Sequence, residues 1–230
     1  MKLRRVFERL TGYWTYKARY IPIGTDLRID LARNGVTDPA TIFDVGANVG
    51  QTYARFRREF PQARIYCFEP VKRTFEQLTL ATSGDPLAVA EQIALGDRAG
   101  QKEIRTNSVL PDLNTLRDDL MSGSSSEVVN IDTVDDYVRR NSIDGIDVLK
   151  IDTEGYEIPV LQGAEESLDG GRIRTVFAEV GFERDNQRNT GLMELTELLL
   201  PKGYSFYGLY DLRHFPNRTP PSFGNALFVR

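Results

Sequence analysis

Three short blocks of this chain bring glycines, carboxylates and an amide together at spacings suited to work on a bound small molecule. In Asp44-Val45-Gly46-Ala47-Asn48-Val49-Gly50, a turn of small residues follows an apolar run, the place where open α/β sheets bind ligands. In Phe68-Glu69-Pro70, a carboxylate stands 25 residues after Asp44, close to where dinucleotide-binding folds keep an acid for ribose hydroxyls. Pro70 stops the strand and fixes the chain beside that carboxylate. In Leu149-Lys150-Ile151-Asp152-Thr153-Glu154-Gly155-Tyr156-Glu157, an apolar run ends on Asp152, with Glu154 just beyond it.

The first block is not a nicotinamide fingerprint, which would need glycines at 46, 48 and 51. The sequence has Gly46 but Asn48 and Gln51, and the second glycine is the one that lets a pyrophosphate approach the backbone. The residue types suit S-adenosylmethionine better, because it carries no phosphate. Asp44, Gly46, Ala47, Asn48 and Gly50 offer a tight turn and polar groups for its ribose and amino-acid tail, and Glu69 offers acceptors for the ribose hydroxyls. Ala94 and Leu95 are small apolar residues fit to line an adenine pocket.

Asp152 ends its strand beside the position of a reacting group. A protonated alcohol is a poor nucleophile, so a carboxylate there would orient an acceptor hydroxyl, take its proton, or help hold a divalent cation. Glu154 and Glu179, the latter at the end of another apolar run, are candidates to assist. Strand alternation puts Lys150 and Asp152 on one face, where they would also serve as a structural ion pair. The single histidine, His214, lies in a Tyr/Arg-rich stretch and reads as a surface or packing residue before a general base.

The elements that must hold these residues alternate along the chain as strand-like and helix-like runs, the pattern of a parallel sheet flanked by helices. Strands are expected at 41–45, 64–68, within 87–95, and at 147–152 and 175–180. Shorter ones are expected around Ile104 and at 128–131, and 205–209 with 225–229 would make a closing antiparallel pair. Helices are expected at 51–60, 71–81, 133–140 (capped by Thr133 or Asp132), 158–168 and 192–200. The stretch 106–127, with Ser122-Gly123-Ser124-Ser125-Ser126, reads as a long loop that is either a lid over the active edge or simply mobile. Residues 41–230 form one domain, with residues 1–40 as a basic and aromatic extension packing on it.

Composition narrows the partners. A chain of 230 residues with 40% hydrophobic and 27% charged residues fits a globular domain, and a net charge of −4 argues against nucleic acid. One cysteine, Cys67, excludes an intrachain disulfide and suits a reducing cytoplasm, and one histidine disfavours a zinc hydrolase. The first residues carry charge but lack the apolar core of a signal peptide. Lys2, Arg4, Arg5, Arg9, Lys17 and Arg19 face a single acid, Glu8, within the first twenty residues, with Tyr13, Trp14, Tyr16 and Tyr20 interleaved. Residues 1–20 therefore read either as a segment resting on anionic lipid at the inner face of the membrane or as a helix capping the domain edge.

The three blocks, with Ala94-Leu95-Gly96-Asp97 and Val160-Leu161-Gln162-Gly163-Ala164, resemble the FkbM-type methyltransferases from about residue 41 onward. The resemblance implies a Rossmann-like class I methyltransferase fold: a seven-stranded, mostly parallel sheet in the order 3-2-1-4-5-7-6, with helices on both faces. It implies S-adenosylmethionine as cofactor, with Asp44, Gly46, Ala47, Asn48, Gly50, Glu69 and Pro70 around it, and Asp152 at the boundary with the acceptor. It also implies O-methylation of a small-molecule or glycan acceptor, often a sugar of a bacterial glycan, glycolipid or natural product, in one in-line displacement. A nicotinamide-dependent oxidoreductase and a non-catalytic cofactor-binding scaffold remain the alternatives, and neither a metal requirement nor an oligomeric state is fixed by these residues.

Overall fold

Alternating β-branched and aromatic residues set up a parallel sheet whose strand ends converge on one edge. In a computed structural model the described residues are 2–12, 16–17, 20–106, 125–182, 188–214 and 220–230. Strands β1 (Thr41–Val45), β2 (Arg64–Phe68) and β3 (Ala88–Glu91) are joined by helices α3 (Gln51–Glu59) and α4 (Lys72–Thr82), after α1 (Lys2–Thr11) and α2 (Leu27–Arg33). A small sheet then forms from β4 (Ala94–Leu95), β5 (Gly100–Thr106) and β6 (Ser125–Asp132). Helix α5 (Val134–Arg140) leads to β7 (Ile146–Ile151), and α6 (Glu157–Gln162) with α7 (Glu165–Asp169) leads to β8 (Ile173–Gly181). Helix α8 (Leu192–Leu199) and the pair β9 (Ser205–Arg213) and β10 (Phe223–Val229) complete the chain.

The main sheet runs β3-β2-β1-β7-β8-β10-β9. Counting only its own strands, this is 3-2-1-4-5-7-6, and β10 is antiparallel to both of its neighbours. It is the class I methyltransferase order with both faces covered. On one face Phe43, Val45, Leu149, Ile151 and Val176 meet Tyr137, Val160, Leu161 and Leu195 from α5, α6 and α8. On the other, Ile42, Ile65, Val148 and Phe177 meet Leu31, Phe56 and Leu78 from α2, α3 and α4. Cys67 is buried in this second layer as a free thiol.

Helix α2 is part of that layer. Asp26 caps it by accepting from the Ile29 amide, Leu27 and Leu31 are buried, and the buried Asp30 accepts from the Tyr210 hydroxyl (2.8 Å) and the Gly24 amide (2.9 Å).

Two sequence expectations need correction. The run 87–95 is divided between two sheets, because β3 pairs with β2 while Ala94 and Leu95 pair with Ile131 and Asp132 of β6. The helix expected over 158–168 is two short helices broken at Gly163 and Ala164, where the chain passes so close to Gly96 that a Cβ on Gly163 would lie 1.9 Å from its carbonyl oxygen. The strand expected around Ile104 is present as the seven-residue β5, paired antiparallel with β6. The loop within 106–127 lies outside the described residues for positions 107–124.

Candidate active site

The turn after β1 is held by backbone rather than side chains. The amides of Gly46 and Ala47 both donate to the Phe68 carbonyl (3.0 Å each), so the ends of β1 and β2 are locked together. Gly46 adopts φ +77°, and a Cβ there would lie 1.8 Å from the Asp152 carbonyl oxygen, so no other residue fits between the ends of β1 and β7. Beyond this turn lies a cavity of about 410 Å³, bordered by Gly46, Ala47, Asn48, Gln51, Glu69 and Pro70 on one side. Phe68, Ala94, Leu95 and Ile104 supply an apolar wall, and Lys150, Asp152, Glu154, Glu179, Arg188 and Asn189 supply a charged one.

Glu69 is the buried polar group of the first side. Its Oε2 accepts from the Asn48 amide (3.0 Å), and its Oε1 accepts from the Val71 amide (3.0 Å) and the Thr74 hydroxyl (2.7 Å). Burial pushes its carboxyl above the ordinary glutamate value, and these three donors pull the other way. A carboxylate offers about four acceptor positions, so Oε2 keeps one for a ligand hydroxyl in the cavity. Thr74 carried no motif, and its place is explained only by the turn of α4 that brings it under Glu69.

Two of the expected ligand residues do not border the cavity. Asp44 shares the face of Ile42, under α3, and is fully buried with its Oδ1 2.8 Å from Lys150 Nζ. Parallel pairing sets Asp44 directly opposite Lys150, so the two opposite charges meet on one side of the sheet. Burial pushes the Asp44 carboxyl up, while the Lys150 charge pulls it down. Burial also pulls the Lys150 ammonium down, but Asp44 and Asp152 outweigh that and hold it above the ordinary lysine value. Gly50 instead serves helix packing: at φ +93° a Cβ would press on Ala81 and Leu78 of α4.

A family model described as the methyltransferase FkbM domain matches residues 44–206, which contain every residue named in this cavity. The chain belongs to the FkbM methyltransferase family. It is 30% identical to methyltransferase sdnD of Sordaria araneosa over 64% of this chain and 68% of that one. It is 30% identical to the 31-O-demethyl-FK506 methyltransferase FkbM of Streptomyces tacrolimicus, over 74% of each chain. Among solved structures it is similar to Aeropyrum pernix fibrillarin with natively bound S-adenosyl-L-methionine. There the identity is 14%, with 87% of this chain and 73% of that one covered and a TM-score of 0.49.

The charged wall of this FkbM-family cavity gathers the three expected carboxylates. Asp152, Glu154 and Glu179 each place an oxygen within 4.8 Å of the others. Their partners were not legible as motifs. Arg188 pairs with Glu154 through two nitrogens (Nε at 2.6 Å and NH2 at 2.9 Å), and the Asn189 side chain donates to Glu179 (2.5 Å). Lys150 Nζ stands 3.6 Å from Asp152, whose side chain is 38% exposed. Burial pushes the Glu179 carboxyl up to about 9, with the Asp152 and Glu154 charges adding to it. Burial likewise pushes Glu154 up, to about 7, against the pull of Arg188.

Beneath this wall, the buried Glu157 acts as a tie. Its Oε1 accepts from the amides of Thr153 (3.0 Å) and Gly155 (3.2 Å) and from the Thr153 hydroxyl (3.0 Å), and Thr190 donates to Oε2. It thereby joins the turn bearing Glu154 to the segment bearing Arg188 and Asn189. That turn needs the join, since Glu154 sits at φ +54° and Gly155 at +93°. The exposed His214 does not border the cavity.

Proposed function

We propose that the protein is an S-adenosylmethionine-dependent O-methyltransferase acting on a hydroxyl of a polyhydroxylated acceptor such as a sugar. The observation that carries this reading is the opposition, across one cavity, of the Glu69 side and the cluster Asp152, Glu154 and Glu179. The cavity fits the cofactor in three respects. Glu69 retains an acceptor position for a ribose hydroxyl, and Phe68, Ala94, Leu95 and Ile104 suit an adenine ring. The first turn of α3, where Gln51 and Thr52 face the cavity, presents the amide end of a helix to a carboxylate tail. Glu69, Asp152 and Glu154 against Arg188, with Lys150 already paired to Asp44, favour a cationic ligand over the phosphates of a dinucleotide, which weakens the nicotinamide alternative.

S-adenosylmethionine, when bound, supplies an electrophilic methyl group. Asp152 is suited to accept the proton of the acceptor hydroxyl, being half in water and held by Lys150. Glu179, protonated below about pH 9, is suited to donate a hydrogen bond to a neighbouring hydroxyl while Asn189 fixes its angle. Groups that both donate and accept within one small cluster favour several adjacent hydroxyls over an isolated one. The O-methyl class is in line with the name of the Streptomyces relative.

The test is incubation with S-adenosylmethionine and a panel of sugars, polyols, phenols and amines, with products read by mass spectrometry and NMR. Methyl ethers of polyhydroxylated acceptors are expected. Methylation on nitrogen alone would overturn the reading, and cofactor binding without turnover on any acceptor would favour the scaffold alternative. A second reading rests on the 4.8 Å cluster, which is compact enough to take a divalent cation. Turnover that survives dialysis against EDTA is expected from proton transfer to Asp152, and turnover restored only by added magnesium would favour the cation.

A further inference from the structure

Helix α1 leaves its apolar side in water. Val6 is 56%, Phe7 50% and Leu10 81% exposed, although these positions fall together on one side of the helix. In a helix that caps a domain, such a stripe would be turned inward and buried. Arg5 and Arg9, four residues apart, form an exposed row beside it. Further along, Tyr16, Tyr20 and Ile23 are exposed as well. The first twenty residues hold six basic side chains and one acid, in a chain whose net charge is −4, so a basic end is joined to an acidic body.

We propose that α1 docks the protein on an anionic lipid bilayer, with Val6, Phe7 and Leu10 among the acyl chains and Arg5 and Arg9 at the headgroups. An apolar stripe bordered by arginines is the arrangement of an interfacial helix, and rings with a polar tip such as Tyr16 and Tyr20 suit the headgroup level. Charge selects this occupant. A neutral bilayer would leave the arginine row without counter-charge, and a second copy packed stripe to stripe would bring two arginine rows together. No described helix is long and apolar enough to cross a membrane, so the contact is peripheral. A single short helix gives reversible binding that weakens with salt. The inference does not depend on the methyl-transfer reading.

The test is flotation of the full-length protein with vesicles of phosphatidylcholine alone and of phosphatidylcholine mixed with phosphatidylglycerol. Binding to the mixed vesicles only is expected, falling as salt rises. Each of Arg5→Gln and Arg9→Gln should lower it about fivefold, corresponding to about 1 kcal/mol per basic residue near the surface. The double variant Phe7→Glu/Leu10→Glu should abolish it with the thermal unfolding midpoint unchanged, which separates lost docking from lost folding. Equal binding to both vesicle types, binding to neither, or binding untouched by the double variant would overturn the proposal. A concentration-dependent dimer that the double variant dissolves would assign the stripe to a second copy and overturn it as well.

Discussion

The two sides of the cavity are built by different means. On the Glu69 side, position is set by backbone: two amides on the Phe68 carbonyl, a glycine wedged against the Asp152 carbonyl, and a carboxylate held by two further amides. On the Asp152 side, position is set by side chains far apart in sequence, with Glu154 held by Arg188, Glu179 by Asn189, and Glu157 tying both segments from below. A backbone-defined site tolerates few residue changes and binds one ligand shape. A side-chain-defined site can be respecified by exchanging partners while the sheet stays as it is.

Lys150 stands between the two sides, and removing it should have the largest effect. Lys150→Met would leave Asp44 buried without its counter-charge, a loss of about 3 to 5 kcal/mol. The unfolding midpoint should fall on the order of 10 °C for a chain of this size. A midpoint within a degree or two of the parent in calorimetry would mean that the pair contributes nothing to folding.

Asp152→Asn should separate the two sides cleanly. It keeps the shape but removes the proton acceptor, so turnover should fall about 100-fold to 10,000-fold. Cofactor affinity should stay within about threefold, since no backbone contact of the Glu69 side is lost. Equal losses in both would show that the carboxylate binds cofactor instead.

Glu179→Gln should have the smallest effect on turnover at neutral pH, because a protonated glutamate and a glutamine are both neutral and near in shape. The effect should appear in the pH dependence of stability. With the folded-state carboxyl near 9 and an ordinary value in the unfolded chain, the folded state holds an extra proton between about pH 4.5 and 9. The parent should therefore lose stability as pH rises through that window, and the Gln variant should lose less. Parallel stability curves for the two proteins would place the Glu179 proton elsewhere.

Legibility in the sequence follows the same division. Strands 41–45 and 64–68 are read to the residue, because β-branched and aromatic residues stop at a glycine turn in one case and at Pro70 in the other. Glu69 and Asp152 are legible because each sits where a strand ends. Asp44 belongs to the motif but not to the cavity: alternation from Phe43 and Val45 points it to the opposite face, and its register with Lys150 completes the pair. Arg188, Asn189 and Thr190 carry no periodic signal. They lie in an irregular stretch between β8 and α8, and only the tertiary structure brings them to their partners.

The central claim is that this cavity holds S-adenosylmethionine through Glu69, and calorimetric titration of the protein and its Glu69→Ala variant tests it most directly. Micromolar binding of S-adenosylmethionine and its demethylated product is expected, weakened at least tenfold in the variant, with no heat from NAD. Binding of NAD in their place, or equal affinity in parent and variant, would contradict the account.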